Sequence, residues 1–142
     1  MTAFVDTSGW MACADAADPD HARAAAARDA ILASRRILVT TDFVVDETLT
    51  LIRIRLGIAA AQAWWDQVDR SARLRWERID SERFDRARAL FFRYRDKSFS
   101  FTDCTSFVVM RELRIAQALS TDRHFRQMGF QVVPKQTAAK QR

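Results

Sequence analysis

The feature that most constrains this chain is an alternation of short apolar runs with segments of helical spacing. "AFV" (residues 3–5), "RILVTT" (36–41), "LRWERI" (74–79), "IAQALST" (115–121) and "QVVP" (131–134) read as strands. Between them, "HARAAAARDAILAS" (21–34) reads as a helix that opens after the Asp18-Pro19-Asp20 break. "DFVVDETLTLIRIRLG" (42–57) is a helix closed by Gly57, and "AAAQAWWDQVDRS" (59–71) is another. "SERFDRARALFFRYR" (81–95) carries Phe84, Ala87, Phe91 and Tyr94 on one helical face, and "TDCTSFVVMRELR" (102–114) is a further helix. Strands alternating with helices imply an α/β fold, a parallel sheet covered on both faces. With 142 residues and no linker or repeat, a single domain over 1–134 is expected, followed by a flexible tail at 135–142.

Open parallel sheets bind ligands at the carboxyl ends of their strands, near a reversal of strand order. Two aspartates stand at such ends: Asp6 follows "AFV" and Asp122 follows "IAQALST". Glu47 falls in the same stripe of its helix as Val44, Thr48, Leu51 and Ile52, which should face inward, whereas Asp46 is rotated by about 100° toward solvent. Asp103 opens its helix in "SFSFTDCTSF", where Ser100 and Asp103 match the S-x-x-D capping pattern, and it shares a face with Phe107 and Met110.

Each acid has an ordinary explanation. Asp122 or Thr121 can cap "RHFRQMG", Asp103 can cap its own helix, and Glu47 can pair with an arginine. Together they are harder to explain away. Two like charges about 4 Å apart repel by about 4 kcal/mol at an effective dielectric near 20. Several such pairs would rival the roughly 5–15 kcal/mol that holds a small domain folded. Either some carboxyls keep their protons or a divalent cation sits among them, and the cation is the simpler answer.

Composition narrows the cation. Two cysteines (Cys13 and Cys104) and two histidines (His21 and His124) cannot be assembled into a zinc site of normal spacing, nor into a disulfide framework. A site of carboxylates points to a hard ion such as Mg²⁺ or Mn²⁺. The net charge is +5, and all basic residues except Lys97, Lys135 and Lys140 are arginines, which suit phosphate-bearing partners. No apolar stretch reaches the roughly 20 residues of a membrane span, and "MTAFVDTSGW" lacks a secretory signal, so a cytoplasmic location is expected.

The segments "FVDTSGW", "TTDFVVDETLTLIRIR", "SFTDCTSFVVM" and "LSTDRHFRQMGF" resemble, in order and spacing, the motifs of PIN-domain ribonucleases, and within them the VapC-type toxins. The resemblance runs from Phe4 to Pro134. It implies a Rossmann-like three-layer α/β/α sandwich with about five parallel strands and an acidic Mg²⁺ or Mn²⁺ site that hydrolyses RNA. Carried over by motif, Asp6, Glu47, Asp103 and Asp122 are the catalytic and metal-binding acids, and Thr7 and Ser8 are small hydroxyl residues that help position water. Glu47 is the candidate for orienting or deprotonating that water. The resemblance also implies a cognate antitoxin across the acidic site and a homodimer, for which the helix at 58–68 offers a surface.

Neighbouring residues receive plainer roles. Asp96 reads as a loop cap, and Asp42 and Asp46 as a capping and an exposed residue. Arg123 either reaches substrate or neutralises nearby acids, His124 packs locally, and the four tryptophans belong to the core or an interface. With glycines only at 9, 57 and 129, no dinucleotide loop or P-loop can be written, and no G-x-S-x-G elbow occurs. A phosphoryl-accepting receiver domain lacks a lysine at a suitable place. The serious alternative is a non-catalytic PIN-fold module whose acids dock a basic partner.

Overall fold

The computed structural model describes residues 1–135. Among these, the five expected strands and five expected helices follow in order, joined by a helix after the first strand and a short one after the fourth. The strands are β1 (Thr2–Val5), β2 (Ile37–Thr41), β3 (Leu74–Glu77), β4 (Gln117–Leu119) and β5 (Gln131–Val133). They pair in parallel throughout, in the order β3-β2-β1-β4-β5. The helices are α1 (Thr7–Ala14), α2 (His21–Ala33), α3 (Asp42–Leu56), α4 (Ile58–Arg70), α5 (Ser81–Arg93), α6 (Phe101–Glu112) and α7 (His124–Gln127). The fold is a three-layer α/β/α sandwich. Right-handed crossovers put α1–α4, which pack on one another, on one face of the sheet and α5–α7 on the other.

The sheet runs outward from β1 in both directions, so the strand order reverses between β1 and β4. Being central, β1 is buried on both faces, and Ala3, Phe4 and Val5 are fully inaccessible. Its register places Phe4 beside Val39 of β2 and Ala118 of β4. Phe107 and Phe125 fill the α5–α7 side of the core, and Val44 and Ile52 of α3 the other.

Several expectations are refined. "IAQALST" is extended only over Gln117–Leu119, because Ile115 N–H still closes α6 on the Met110 carbonyl. The face of α5 that carries Phe84, Ala87, Phe91 and Tyr94 is only partly covered: Ala87 is fully buried, while Phe84 is 40% and Phe91 37% exposed. This helix packs on α6 rather than on the sheet, and the two rings join Phe43 and Phe101 in a surface aromatic cluster. Trp10 and Trp64 are core residues in edge-to-face contact. Both cysteines are free thiols. The expected tail lies outside the described residues, apart from Lys135. No helix among the described residues is long and apolar enough to cross a membrane.

Candidate active site

Asp6 ends β1 and is the N-cap of α1, where its Oδ1 accepts the Gly9 amide at 2.8 Å. Its carboxylate is 4% exposed and accepts from two hydroxyls: Ser120 Oγ donates to Oδ2 at 2.8 Å, and Ser8 Oγ lies 2.8 and 3.0 Å from the two oxygens. Ser8 Oγ in turn accepts from the Thr121 amide, and Ser120 Oγ from the Asp122 amide at 3.3 Å. The two serines thus tie the end of β1 to the loop after β4, across the strand-order reversal. Gly9 makes that closeness possible, since a Cβ there would fall 2.2 Å from the Leu119 carbonyl oxygen.

Asp103 sits at the third position of α6 and completes a capping box with Ser100: each side chain accepts the other's backbone amide. Its Oδ2 is also 2.8 Å from His124 Nδ1. Asp122 Oδ1 accepts the His124 amide at 2.8 Å, which turns the chain into α7. Glu47 lies on α3 one turn from Leu51, half-buried, with no hydrogen bond or ion pair to another described residue. The arginine partner conceivable from sequence is absent among the described residues.

All four acids line one cleft of about 380 Å³ at the carboxyl edge of the sheet, together with Thr7, Ser8, Asp18, Arg55 and His124. Arg123, Asp42, Asp46 and Asp96 do not line it. Asp96 is exposed beside Lys97. Asp46 is exposed, and Asp42 is half-buried: its Oδ1 accepts the amides of Phe43 and Ile79, tying the start of α3 to the chain after β3. Arg55 and Asp18 are charged cleft residues for which the sequence suggested no site role, and His124, expected to pack locally, instead reaches Asp103. Arg55 has a retrievable signal, two helical turns beyond Glu47 on the same face.

The electrostatics follow from the crowding. Burial, reinforced by the Asp122 carboxylate, pushes the Asp6 carboxyl well above the usual carboxylate range, against the pull of Gly9, Ser120 and Ser8. Burial and then Asp122 also raise the Asp103 carboxyl, against Ser100 and His124. Cys104 is not a nucleophile candidate, because burial followed by the Asp103 charge raises its thiol to about 11.

Carboxylates crowded into one cleft, two of them buried, suit a divalent cation. Ligand atoms of Asp103, Asp122 and His124 all lie within 4.8 Å of one another, and Asp6 and Glu47 share their cleft. This oxygen-rich donor set fits a hard ion, with the imidazole as a nitrogen at its edge.

The profile of the PIN domain matches residues 3–131. A 23S rRNA-specific endonuclease, VapC20 of Mycobacterium tuberculosis, is 34% identical over 128 residues, which span 89% of this chain and 94% of the relative. Ribonuclease VapC26 of the same species is 31% identical over 125 residues, 86% and 88% of the two chains. The crystal structure of VapC20, described as a sarcin–ricin loop cleaving toxin, superposes with a TM-score of 0.81 at 33% identity, covering 92% and 96% of the chains. VapBC2 of Rickettsia felis, at 9% identity and a TM-score of 0.68, shares the fold. With the motifs, the sheet order and the acidic cleft all in agreement, the chain belongs to the PIN-domain family, among its VapC ribonucleases.

Proposed function

We propose that this chain is an Mg²⁺- or Mn²⁺-dependent endoribonuclease, the toxin of a toxin–antitoxin pair, acting on the sarcin–ricin loop of 23S rRNA. The observation that carries the reading is the convergence of Asp6, Glu47, Asp103 and Asp122, from four separate elements, on one cleft. The choice of RNA rests on likeness to VapC20.

Asp6, Asp103 and Asp122 hold the cation. When bound, it stabilises charge on the phosphoryl oxygens and makes water more acidic. The protein's own groups do the rest. Three donors keep Asp6 from rotating, and the capping box with His124 fixes Asp103. Glu47, which lacks a protein partner among the described residues, orients the attacking water and accepts its proton. Arg55 offers its guanidinium to a phosphate flanking the scissile bond, so binding weakens as salt rises. A cognate antitoxin covers the cleft, and a second copy docks along α4, whose Ile58 is 63% exposed.

The test is cleavage of a 23S rRNA hairpin carrying the sarcin–ricin loop, with Mg²⁺ or Mn²⁺. A single cut is expected, abolished in Asp6→Asn and Asp103→Asn proteins whose circular dichroism matches wild type. Wild-type protein that binds the hairpin but never cuts it returns the argument to the non-catalytic docking module.

A further inference from the structure

We infer that Thr7 is a substrate-binding residue whose hydroxyl donates to a non-bridging oxygen of the scissile phosphodiester. The inference rests on the cleft being an RNA-cleaving site and adds a contact that the four acids do not supply.

Thr7 is 8% exposed and lines the acidic cleft. Among the described residues, only two buried side-chain polar atoms lack a hydrogen-bond partner: Thr7 Oγ1 and Arg36 Nε. Arg36 precedes β2, at the opposite edge of the sheet. The three serine hydroxyls of the cleft are engaged. Ser8 bonds Asp6, Ser100 accepts the Asp103 amide, and Ser106 donates to the Thr102 carbonyl. A buried hydroxyl without a partner is a standing penalty, and native proteins keep such groups where a ligand satisfies them.

The chemistry of the cleft selects the ligand. A hard cation is served by the carboxylates, beside which a neutral hydroxyl adds little. A phosphodiester brings oxygens that only accept, and a hydroxyl proton meets that need. Thr7 is also the first residue of the eight-residue α1, before the helix's first backbone bond, Trp10 N–H to Asp6 C=O at 3.0 Å. The positive end of that helix favours an anion at the same spot. Asp6 opposes an anion there, so the contact forms once the acids' charge is neutralised.

Thr7→Val removes the hydroxyl and keeps the shape; Thr7→Ser keeps the hydroxyl and removes the methyl. Both are compared with wild type in urea unfolding without divalent cations, in Mn²⁺ binding by electron paramagnetic resonance, and in cleavage of the 23S rRNA hairpin. Thr7→Val is expected to unfold at or above the wild-type midpoint and to bind Mn²⁺ unchanged. Its kcat/KM should fall roughly ten- to a hundredfold, the size of one hydrogen bond to a charged oxygen. Thr7→Ser should stay close to wild type. Full activity in Thr7→Val overturns the inference. So does a loss of stability or Mn²⁺ affinity that accounts for the lost activity, or a Thr7→Ser protein as slow as Thr7→Val. Failure of the nuclease reading looks different, because wild type then leaves the hairpin intact, and this inference falls with it.

Discussion

Substituting Gly9 by alanine tests how closely the first helix must approach the sheet for the site to exist. The added methyl would lie 2.2 Å from the Leu119 carbonyl oxygen, 2.9 Å from its carbon and 3.2 Å from Val5 Cγ1. Ordinary carbon–oxygen contact needs about 3.3 Å, so the start of α1 must lift by about 1 Å. The carbonyl cannot turn aside, because it accepts the Asp6 amide at 3.3 Å. Overpacking of this kind costs about 1–3 kcal/mol, and the better helix propensity of alanine offsets at most about 1 kcal/mol of it. The net expectation is a loss of about 1–2 kcal/mol, read as a lower urea midpoint at unchanged slope. The same displacement pulls the Gly9 amide from Asp6 Oδ1 and Ser8 from Ser120, and a misplacement of about 1 Å can slow a reaction about 10²-fold. Gly57→Ala is the control. It has φ +95° with nothing within 4 Å of a Cβ, so it loses about 1–3 kcal/mol through backbone strain while cleavage persists. A Gly9→Ala protein as stable and as active as wild type refutes the account.

Three further outcomes are expected. In the absence of divalent cations, Asp6→Asn should be more stable than wild type at pH 7. The folded state holds the Asp6 proton to higher pH than the unfolded chain does, so wild type loses stability as pH rises above the ordinary value of 3.8; the two urea midpoints should converge below it, and parallel curves would refute this. Arg83→Ala should lose about 1 kcal/mol at pH 7, because its guanidinium grips both oxygens of the partly exposed Glu112 and the Arg78 carbonyl. Arg83 holds the Glu112 carboxyl below its ordinary 4.5, so that stabilisation is complete above 4.5 and fades as pH falls through the lowered value; a difference constant down to pH 3 would count against the pairing. Ser100→Ala should lose about 1 kcal/mol in metal-free unfolding, because its hydroxyl caps α6, whereas Glu47→Ala should lose none, and equal losses would contradict the structure.

Much of this architecture was legible because period and punctuation agree. The runs around Val5, Val39 and Leu119 are mostly apolar, as central strands of a parallel sheet should be, and helical spacing separates them. The acids could be placed because strand ends and helix faces follow from those same periods. What escaped was set by packing between distant segments. In the sequence Gly9 is simply one of three glycines, and only the Leu119 carbonyl explains it. The shared face of Phe84 and Phe91 was legible, but not that α5 would stack on α6 and leave both rings partly exposed. His124 gave no local sign that Asp103, twenty-one residues earlier, would meet its ring.

Like charges can be kept together in so small a fold because most of them also have local structural work. Asp6 caps α1, Asp103 completes the box that starts α6, and Asp122 turns the chain into α7. Each gains backbone amides as partners, which offsets part of the penalty for being buried among other acids. The amides also fix direction: Gly9 holds one oxygen of Asp6, Ser100 one of Asp103 and His124 one of Asp122. Both oxygens of Asp6 are occupied, since Ser120 takes the second, and His124 Nδ1 shares Oδ2 of Asp103 with Ser100. Glu47 is the exception. Carried mid-helix with no capping role, it has no local reason to face a cleft already crowded with negative charge. No hydrogen bond or ion pair among the described residues accounts for its place there, so its replacement is expected to leave the fold intact.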